Sequence, residues 1–213
     1  MSTSRPPLGT DPAAFWQSVY SSRPATVPTP NVRLIEVASA LPTGDALDLG
    51  SGAGGDALWL AGRRWHVTAA DISSAAVERL TSLAAAQGVG DRITAVAHDL
   101  GSGFPPGEFD LICAHYLHTP FELDRAGVLR SAAHALRVNG RLLVVDHGSA
   151  APWSWNQDPD AHYPSPTEIA DGIGLDPAGW TVERADAPRR TATGPDGQQA
   201  EVVDHVLLVR RTA

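Results

Sequence analysis

Chemistry in this chain concentrates where short apolar runs end in acids, glycines or histidines. Asp48 lies in the run 46–49 and is followed at once by Gly50, Gly52 and Gly54, while Asp71 ends the run 66–71. Asp99 follows the run 92–97, and His115 and His118 follow the run 109–114. Glycines that take positive φ and carry no side chain let backbone amides approach a ligand where a strand hands over to a helix, which predicts a bound nucleotide cofactor. A carboxylate offers two acceptor oxygens to two adjacent hydroxyls, and a histidine at the same edge is suited to general-base work.

The glycine spacing admits two cofactors. Read as Gly50, Gly52 and Gly55 it fits the G-x-G-x-x-G turn of NAD- and FAD-binding domains, with Asp71 where their ribose-binding acid is expected. Read as D-x-G-x-G-x-G from Asp48, it resembles the first motif of the class I S-adenosylmethionine-dependent methyltransferases. Asp48 favours the second reading. A pyrophosphate repels a carboxylate beside its binding turn, whereas a ligand with an ammonium and a sulfonium but no phosphate attracts one.

The resemblance spans residues 30–213 and implies roles residue by residue. The implied cofactor is S-adenosyl-L-methionine. Asp71 would accept both ribose hydroxyls, Ile72 would pack on the adenine, and Asp99, with Leu100 beside it, would read the adenine amino group. Gly50, Gly52 and Gly54 would form the turn around the ligand, and Ala114 would border it from the fourth strand. Trp16 and Tyr20 lie four apart on one helix face and resemble the W-x-x-x-Y-like amino-terminal helix of small bacterial methyltransferases of the tellurite-resistance and thiopurine groups, which closes over the pocket. Packing of the two aromatics onto the core is the competing account.

His118 and His115 follow the fourth strand, where the resembled family brings the acceptor to the methyl group. Either is a candidate base or acceptor-orienting group, with His115 alternatively touching the cofactor's methionine end; a plain hydrogen-bonding role in the cleft wall stands beside these. His147 has similar standing after Asp146. His115-x-x-His118 lacks a third ligand and helical geometry, so no metal site is expected. His66, His98, His134 and His205 read as structural or exposed. Arg189 and Arg190 would meet either an anionic substrate or solvent.

These residues must be positioned by alternating strands and helices. Strands are expected over 46–49, 66–71, 92–97, 109–114 and up to Asp146, then over 180–185 and 202–210, with the hairpin tip at Gly194-Pro195-Asp196-Gly197 between the last two. Helices are expected over 12–20 with Asp11 as cap, 32–41 with Asn31 as cap, 75–86 after Ser73, 124–137 with Arg137 near its end, and 167–175. Residues 1–10 should be mobile, 21–30 form a proline-punctuated loop, and the aromatic stretch 148–166, with Trp153, Trp155, His162 and Tyr163, suits a substrate lid. The expected fold is α/β, a doubly wound Rossmann-like sheet of about seven mostly parallel strands with the last antiparallel, in one domain over 1–213 whose first 30 residues form a helical lid segment.

Composition narrows the function further. The 213 residues are 43% hydrophobic, and no apolar run approaches the roughly 20 residues of a membrane span. With no secretion signal at its start, the chain is expected to be cytoplasmic. The formal charge of −8 argues against a nucleic-acid partner. All 16 basic residues are arginines, which removes lysine Schiff-base chemistry. The single Cys113, inside an apolar strand, excludes an internal disulfide and reads as a buried structural thiol. The expected partner is a small-molecule methyl acceptor of unspecified identity. The competing functions are an NAD(P)-dependent oxidoreductase and a non-catalytic cofactor-binding protein.

Overall fold

The computed structural model describes residues 9–22, 26–154, 157–158 and 160–213. The expected mobility of the first residues therefore falls largely outside the described residues, as do part of the proline-rich loop and Trp155. Helix α1 (Pro12–Ser21) and helix α2 (Val32–Ala38) precede strand β1 (Asp45–Leu49), and β1 leads through the glycine turn into α3 (Gly55–Gly62). Then come β2 (His66–Asp71), α4 (Ser74–Ala86), β3 (Ile93–Ala97), β4 (Phe109–His115), α5 (Arg125–His134) and β5 (Leu136–His147). Helix α6 (Pro166–Ile173) and strands β6 (Trp180–Asp186), β7 (Arg189–Thr193) and β8 (Gln199–Arg211) complete the chain.

The eight strands form one sheet in the order β3-β2-β1-β4-β5-β8-β6, with β7 pairing β8 off that path. The first five are parallel, and β8 runs antiparallel to β5, β6 and β7. Both faces are covered, so the central strands read as unbroken apolar runs. Ala46, Leu111 and Cys113 pack on one side against Leu34 of α2, Leu60 of α3 and Leu80 of α4. Leu47, Leu49, Ile112 and Ala114 pack on the other against Leu129 and Ala132 of α5 and Ile173 of α6. The sequence order turns back between β1 and β4, and in such sheets that switch point is where a crevice opens beyond the strands' carboxyl ends.

Local capping chemistry accounts for the helix starts. The side chains of Asp11, Asn31, Ser73 and Asp124 accept the amides of Ala14, Arg33, Ala76 and Gly127, and Ser165 with Glu168 completes a capping box. Helix α2 ends at Ala38, short of the expected 41, because Ala40 and Leu41 close tighter turns onto Val37 and Ala38 ahead of Pro42.

Two expectations are corrected. The helix expected over 124–137 stops at His134, and Arg137 lies in β5, where its guanidinium bridges Asp45 and Asp110 at 2.8 Å each. Leu136 already pairs with Phe109, and an irregularity carries the register on to Leu111 opposite Arg141. Asn139 at φ 70° and Gly140 form that bend, and a Cβ on Gly140 would lie 2.9 Å from the carbonyl oxygens of Arg137 and Phe109. The Gly194–Gly197 turn does not join the strands at 180 and 202. It closes a hairpin between β7 and β8, with the Gly194 amide donating to the Gln198 carbonyl at 2.7 Å, which raises the strand count among the described residues to eight.

Candidate functional site

A cavity of about 350 Å³ opens at this crevice. Its walls come from Trp16 and Tyr20 of α1, Gly50 after β1, Asp71 and Ile72 after β2, and His98, Asp99 and Leu100 after β3. Tyr116, Leu117, His118, Thr119, Phe121 and Glu122, all beyond the core of β4, complete it. Of the residues singled out in the sequence, Trp16, Tyr20, Gly50, Asp71, Ile72, Asp99, Leu100 and His118 share this cavity. Asp48, Gly52, Gly54, Ala114 and His115 are not among its lining residues.

The glycine turn is packed from above. Gly52 has φ 53°, its amide donates to Asp71 Oδ2 at 2.8 Å, and a Cβ there would sit 2.5 Å from the Tyr20 hydroxyl oxygen. A side chain at this position would meet α1 as well as a backbone strain. Gly54 instead packs against Leu80. Asp71 is 6% exposed, and its second oxygen accepts the Ser73 amide at 2.9 Å, so one carboxylate ties the turn after β1 to the start of α4. Asp99 accepts the Gly101 amide and the Ser102 hydroxyl at 2.8 Å each, an arrangement of a turn former that still borders the cavity.

Helix α1 is fastened by polar contacts over this crevice. Gln17 Oε1 accepts from the Ala75 amide at 2.8 Å and from the Ser74 and Ser73 hydroxyls at 3.0 and 3.2 Å. Trp16 Nε1 reaches Thr119 Oγ1 at 3.4 Å, and Phe15 meets Phe121 edge to face with centroids 5.4 Å apart.

Behind the glycine turn lies a buried group of acceptors. Asp48 is 2% exposed, and Oδ2 has no hydrogen-bond partner among the described residues. Burial first, then the charges of Asp56 and Asp71, push its carboxyl well above the ordinary range, against the opposing hydrogen bond from the Ala57 backbone. On the same face of the neighbouring strand, two residues beyond the Cys113 that pairs with Asp48, His115 is buried with Nδ1 2.7 Å from Asp56 Oδ2. Asp56 also accepts the Asn31 amide at 2.6 Å. With Nδ1–H donated to Asp56, a neutral His115 presents Nε2 as an acceptor, and it too has no partner among the described residues. Burial, then Asp48 and Asp56, raise the Cys113 thiol, which makes it a poor nucleophile.

The acceptor side is built differently. His118 is 43% exposed, with Nε2 3.2 Å from Asp146 Oδ1, and Arg125 Nη2 reaches both oxygens of Asp146 at 2.8 and 2.7 Å. Burial alone would raise Asp146, but the His118 hydrogen bond and the Arg125 charge outweigh it and hold the carboxyl below its ordinary range. The His147 ring stacks on Tyr116 at 4.3 Å and on His118 at 5.9 Å. Loss of water around it, then the neighbouring His118, lowers its pKa. The Tyr116 backbone holds φ 50° at the strand end, and its hydroxyl donates to Asp204 at 2.9 Å and accepts from Arg190 at 3.0 Å. Burial, then the Asp204 charge, push the Tyr116 phenol up to about 12.

Several functional neighbours escaped the sequence. Asp56, Arg125 and Asp146 act through contacts 21 to 59 residues apart, although the placement of Asp146 at a strand end was itself a signal. His98, expected to be structural or exposed, borders the cavity while its Nε2 contacts the Gly103 carbonyl at 3.0 Å. Arg190 meets neither solvent alone nor an anionic ligand: it turns inward to Asp204 at 2.9 Å. Among the described residues no group of three or more His, Cys, Asp or Glu could hold a metal ion, and no helix is long and apolar enough to cross a membrane.

Residues 46–140 match the family described as a methyltransferase domain. A solved structure from work on the conversion of a disulfide bond into a thioacetal group during echinomycin biosynthesis is similar over 94% of this chain and 93% of that one, with 26% identity and a TM-score of 0.73. TehB from Haemophilus influenzae is similar over 92% of this chain and 67% of its own, at 16% identity and TM-score 0.66. The glycopeptide N-methyltransferase MtfA, solved with S-adenosyl-L-methionine, is similar over 87% and 88%, at 16% identity and TM-score 0.60. No curated protein matches in sequence. The chain has the fold of the class I methyltransferases, with a methyltransferase domain over residues 46–140.

Proposed function

We propose that this methyltransferase binds S-adenosylmethionine along the cavity and methylates a small-molecule acceptor beside His118. Asp71 takes the ribose hydroxyls, Ile72 and Leu100 flank the adenine, and Asp99 faces its amino group. Gly50, Gly52 and Gly54 bring backbone close to the ligand, Ala114 and His115 with Asp48 border the methionine end, and Trp16 and Tyr20 cover it. The bound cofactor supplies a methyl group on a sulfonium, and the protein's part is to orient donor and acceptor, exclude water and receive a proton at His118.

One observation carries the reading: among the described residues, Asp48 Oδ2 and His115 Nε2 are buried acceptors without a donor. An ammonium provides hydrogen-bond donors and positive charge, and so suits both, whereas a diphosphate provides neither and meets Asp48, Asp56 and Asp71 instead. Calorimetry tests it: S-adenosylhomocysteine should bind and NADH should not, and tight NADH binding would overturn the proposal. The helix carrying Trp16 and Tyr20 supports a place near the small tellurite-resistance and thiopurine group. A lone buried thiol fits a reducing, cytoplasmic setting, and the acidic balance suits a small acceptor better than a nucleic acid.

A further inference from the structure

His118 has a supporting structure that methylation of an amine or a chalcogenide does not require. Its Nε2 faces Asp146, a carboxylate 1% exposed, and Arg125 clamps that carboxylate by both oxygens while its own Nε is held by the Leu117 carbonyl at 3.0 Å. The His147 ring stacks on the His118 ring at an interplanar angle of 23°, and the His118 amide is pinned to the Tyr116 carbonyl at 2.7 Å. The imidazole is therefore oriented along one edge and one face. With Nε2 committed to Asp146, Nδ1 is the ring nitrogen that remains for a ligand in the cavity.

We infer that Asp146, fixed by Arg125, holds His118 in the tautomer with hydrogen on Nε2 and a lone pair on Nδ1, and that the acceptor is a neutral O–H or S–H group. This rests on His118 being the acceptor-side base. A neutral amine already carries its lone pair and a reduced chalcogenide is already nucleophilic, whereas a hydroxyl or thiol gains from losing its proton during transfer. The acceptor's O–H or S–H bond breaks, the proton goes to His118 Nδ1, and the released pair bonds the methyl carbon while the methyl–sulfur pair stays with sulfur. The imidazolium so formed sits against the Asp146 carboxylate and passes its proton to water. Asp146 is a positioning residue, since it touches His118 and not the cavity.

The charged and titratable groups around His118 agree with this division of labour. From β5 come Asp146 and His147, from α5 Arg125, from the end of β4 Tyr116, and from the following loop Glu122. Tyr116 is tied to Asp204 and Arg190 and is a weak competitor for the proton.

Two measurements test the inference. Long-range proton–nitrogen NMR of the ligand-free protein should show His118 protonated on Nε2, and Asp146→Asn should abolish that preference. In turnover, Asp146→Asn should lower kcat about 100-fold with little change in KM or in S-adenosylhomocysteine affinity, and the loss should grow along a series of ring-substituted phenols as they become less acidic. Alkane thiols run beside the phenols identify which protic atom the site prefers. His118 protonated on Nδ1 in the wild type, an equal loss with arylamines, or a panel in which no O–H or S–H acceptor is methylated would overturn the inference. His118→Ala separates the two claims. If it keeps full turnover, the base reading itself fails; if it is inactive while Asp146→Asn is fully active, only the role of Asp146 fails.

Discussion

Two aspartates at nearly the same depth live under opposite electrostatics. Asp204 is 0% exposed and is met by Arg33 Nε at 3.1 Å, Arg190 Nε at 2.9 Å and the Tyr116 hydroxyl at 2.9 Å. Asp48 is 2% exposed and has one backbone amide, two acidic neighbours and an oxygen with no partner among the described residues. Asp204 joins α2, the turn after β4, β7 and β8 through side chains the chain itself provides, with Arg33 extending to Glu36 and the Arg189 carbonyl. A buried carboxylate without a cation is a penalty on folding, and a protein keeps one where something outside the chain is to complete it. The contrast separates a fastening from a receptor, though both would be scored alike as buried polar residues.

The largest expected effect tests that contrast with one isosteric change at each position. Asp204→Asn leaves two guanidiniums facing a neutral amide and should cost about 3 kcal/mol of folding stability. Asp48→Asn removes a charge that burial opposes and should leave stability unchanged or raise it. Urea unfolding of the two variants beside the wild type checks both, and equal losses would erase the distinction drawn here.

The next effect reverses the ranking in a different measurement. Asp48→Asn should weaken S-adenosylhomocysteine binding by about 1.5 to 3 kcal/mol, the scale of a hydrogen bond to a charged group. Asp71→Asn should weaken it over the same range. The asparagine also disturbs the Gly52 and Ser73 amides that Asp71 accepts, so here a fall in stability should accompany the fall in affinity. Calorimetry on all three variants sharpens the comparison: Asp48 should trade stability against affinity, and Asp71 should lose both.

A third effect is read from pH. Because Asp48 in the folded protein titrates above its ordinary 3.8, the unfolded chain releases this proton first as pH rises. The folded state is then penalised increasingly from the unfolded value up to the raised folded value, and beyond that the penalty is constant. Asp146 has the opposite sign: its contribution is complete above 3.8 and is lost as pH falls toward its depressed folded value. Only the first of these disappears in Asp48→Asn, so the variant should gain thermal stability over the wild type as pH rises above the ordinary carboxylate value. A constant gap across that range would place the charge of Asp48 elsewhere.

What was legible in the sequence follows the range of the forces involved. The runs ending at Leu49, Asp71 and Ala97 are local patterns of apolar residues and turn formers, and the caps Asp11, Asn31, Ser73 and Asp124 act within three residues. The convergence of Gly50, Asp71 and Asp99 on one cavity fits the rule that a parallel sheet binds ligands at one edge, whereas Trp16 was legible only through the resemblance of its helix to that of small methyltransferases. Strand β7 was hidden because Arg-Arg-Thr-Ala-Thr has no apolar alternation and is ordered by pairing with β8. The early start of β5 was hidden because Leu136 suits a helix as well as a strand, and the register with Phe109 decides. Arg190 illustrates the remaining gap, since a pair of arginines before a turn resembles solvated charge until a buried carboxylate is found beneath it.

The smallest expected effect concerns how each region is closed. Asp204 is sealed by strands and their side chains, whereas the cavity in front of Asp48 is covered by α1, none of whose residues is buried. That cover is held to the first turn of α4 through Gln17, whose single oxygen accepts from three donors. Gln17→Ala leaves Ser73, Ser74 and the Ala75 amide beside water, which replaces the lost acceptor, so the stability change should stay below about 1 kcal/mol. The same loss acts wholly on the cover, and about 1 kcal/mol corresponds to roughly fivefold in a rate. Release of S-adenosylhomocysteine should therefore quicken about fivefold while its association rate and the unfolding midpoint hardly move, as stopped-flow displacement would show. An Asp204 variant should do the reverse, lowering the midpoint and sparing the release rate. If Gln17→Ala instead lowered the midpoint as far as Asp204→Asn, α1 would be part of the fastened core, and the division between a self-sealed region and a ligand-completed one would not hold.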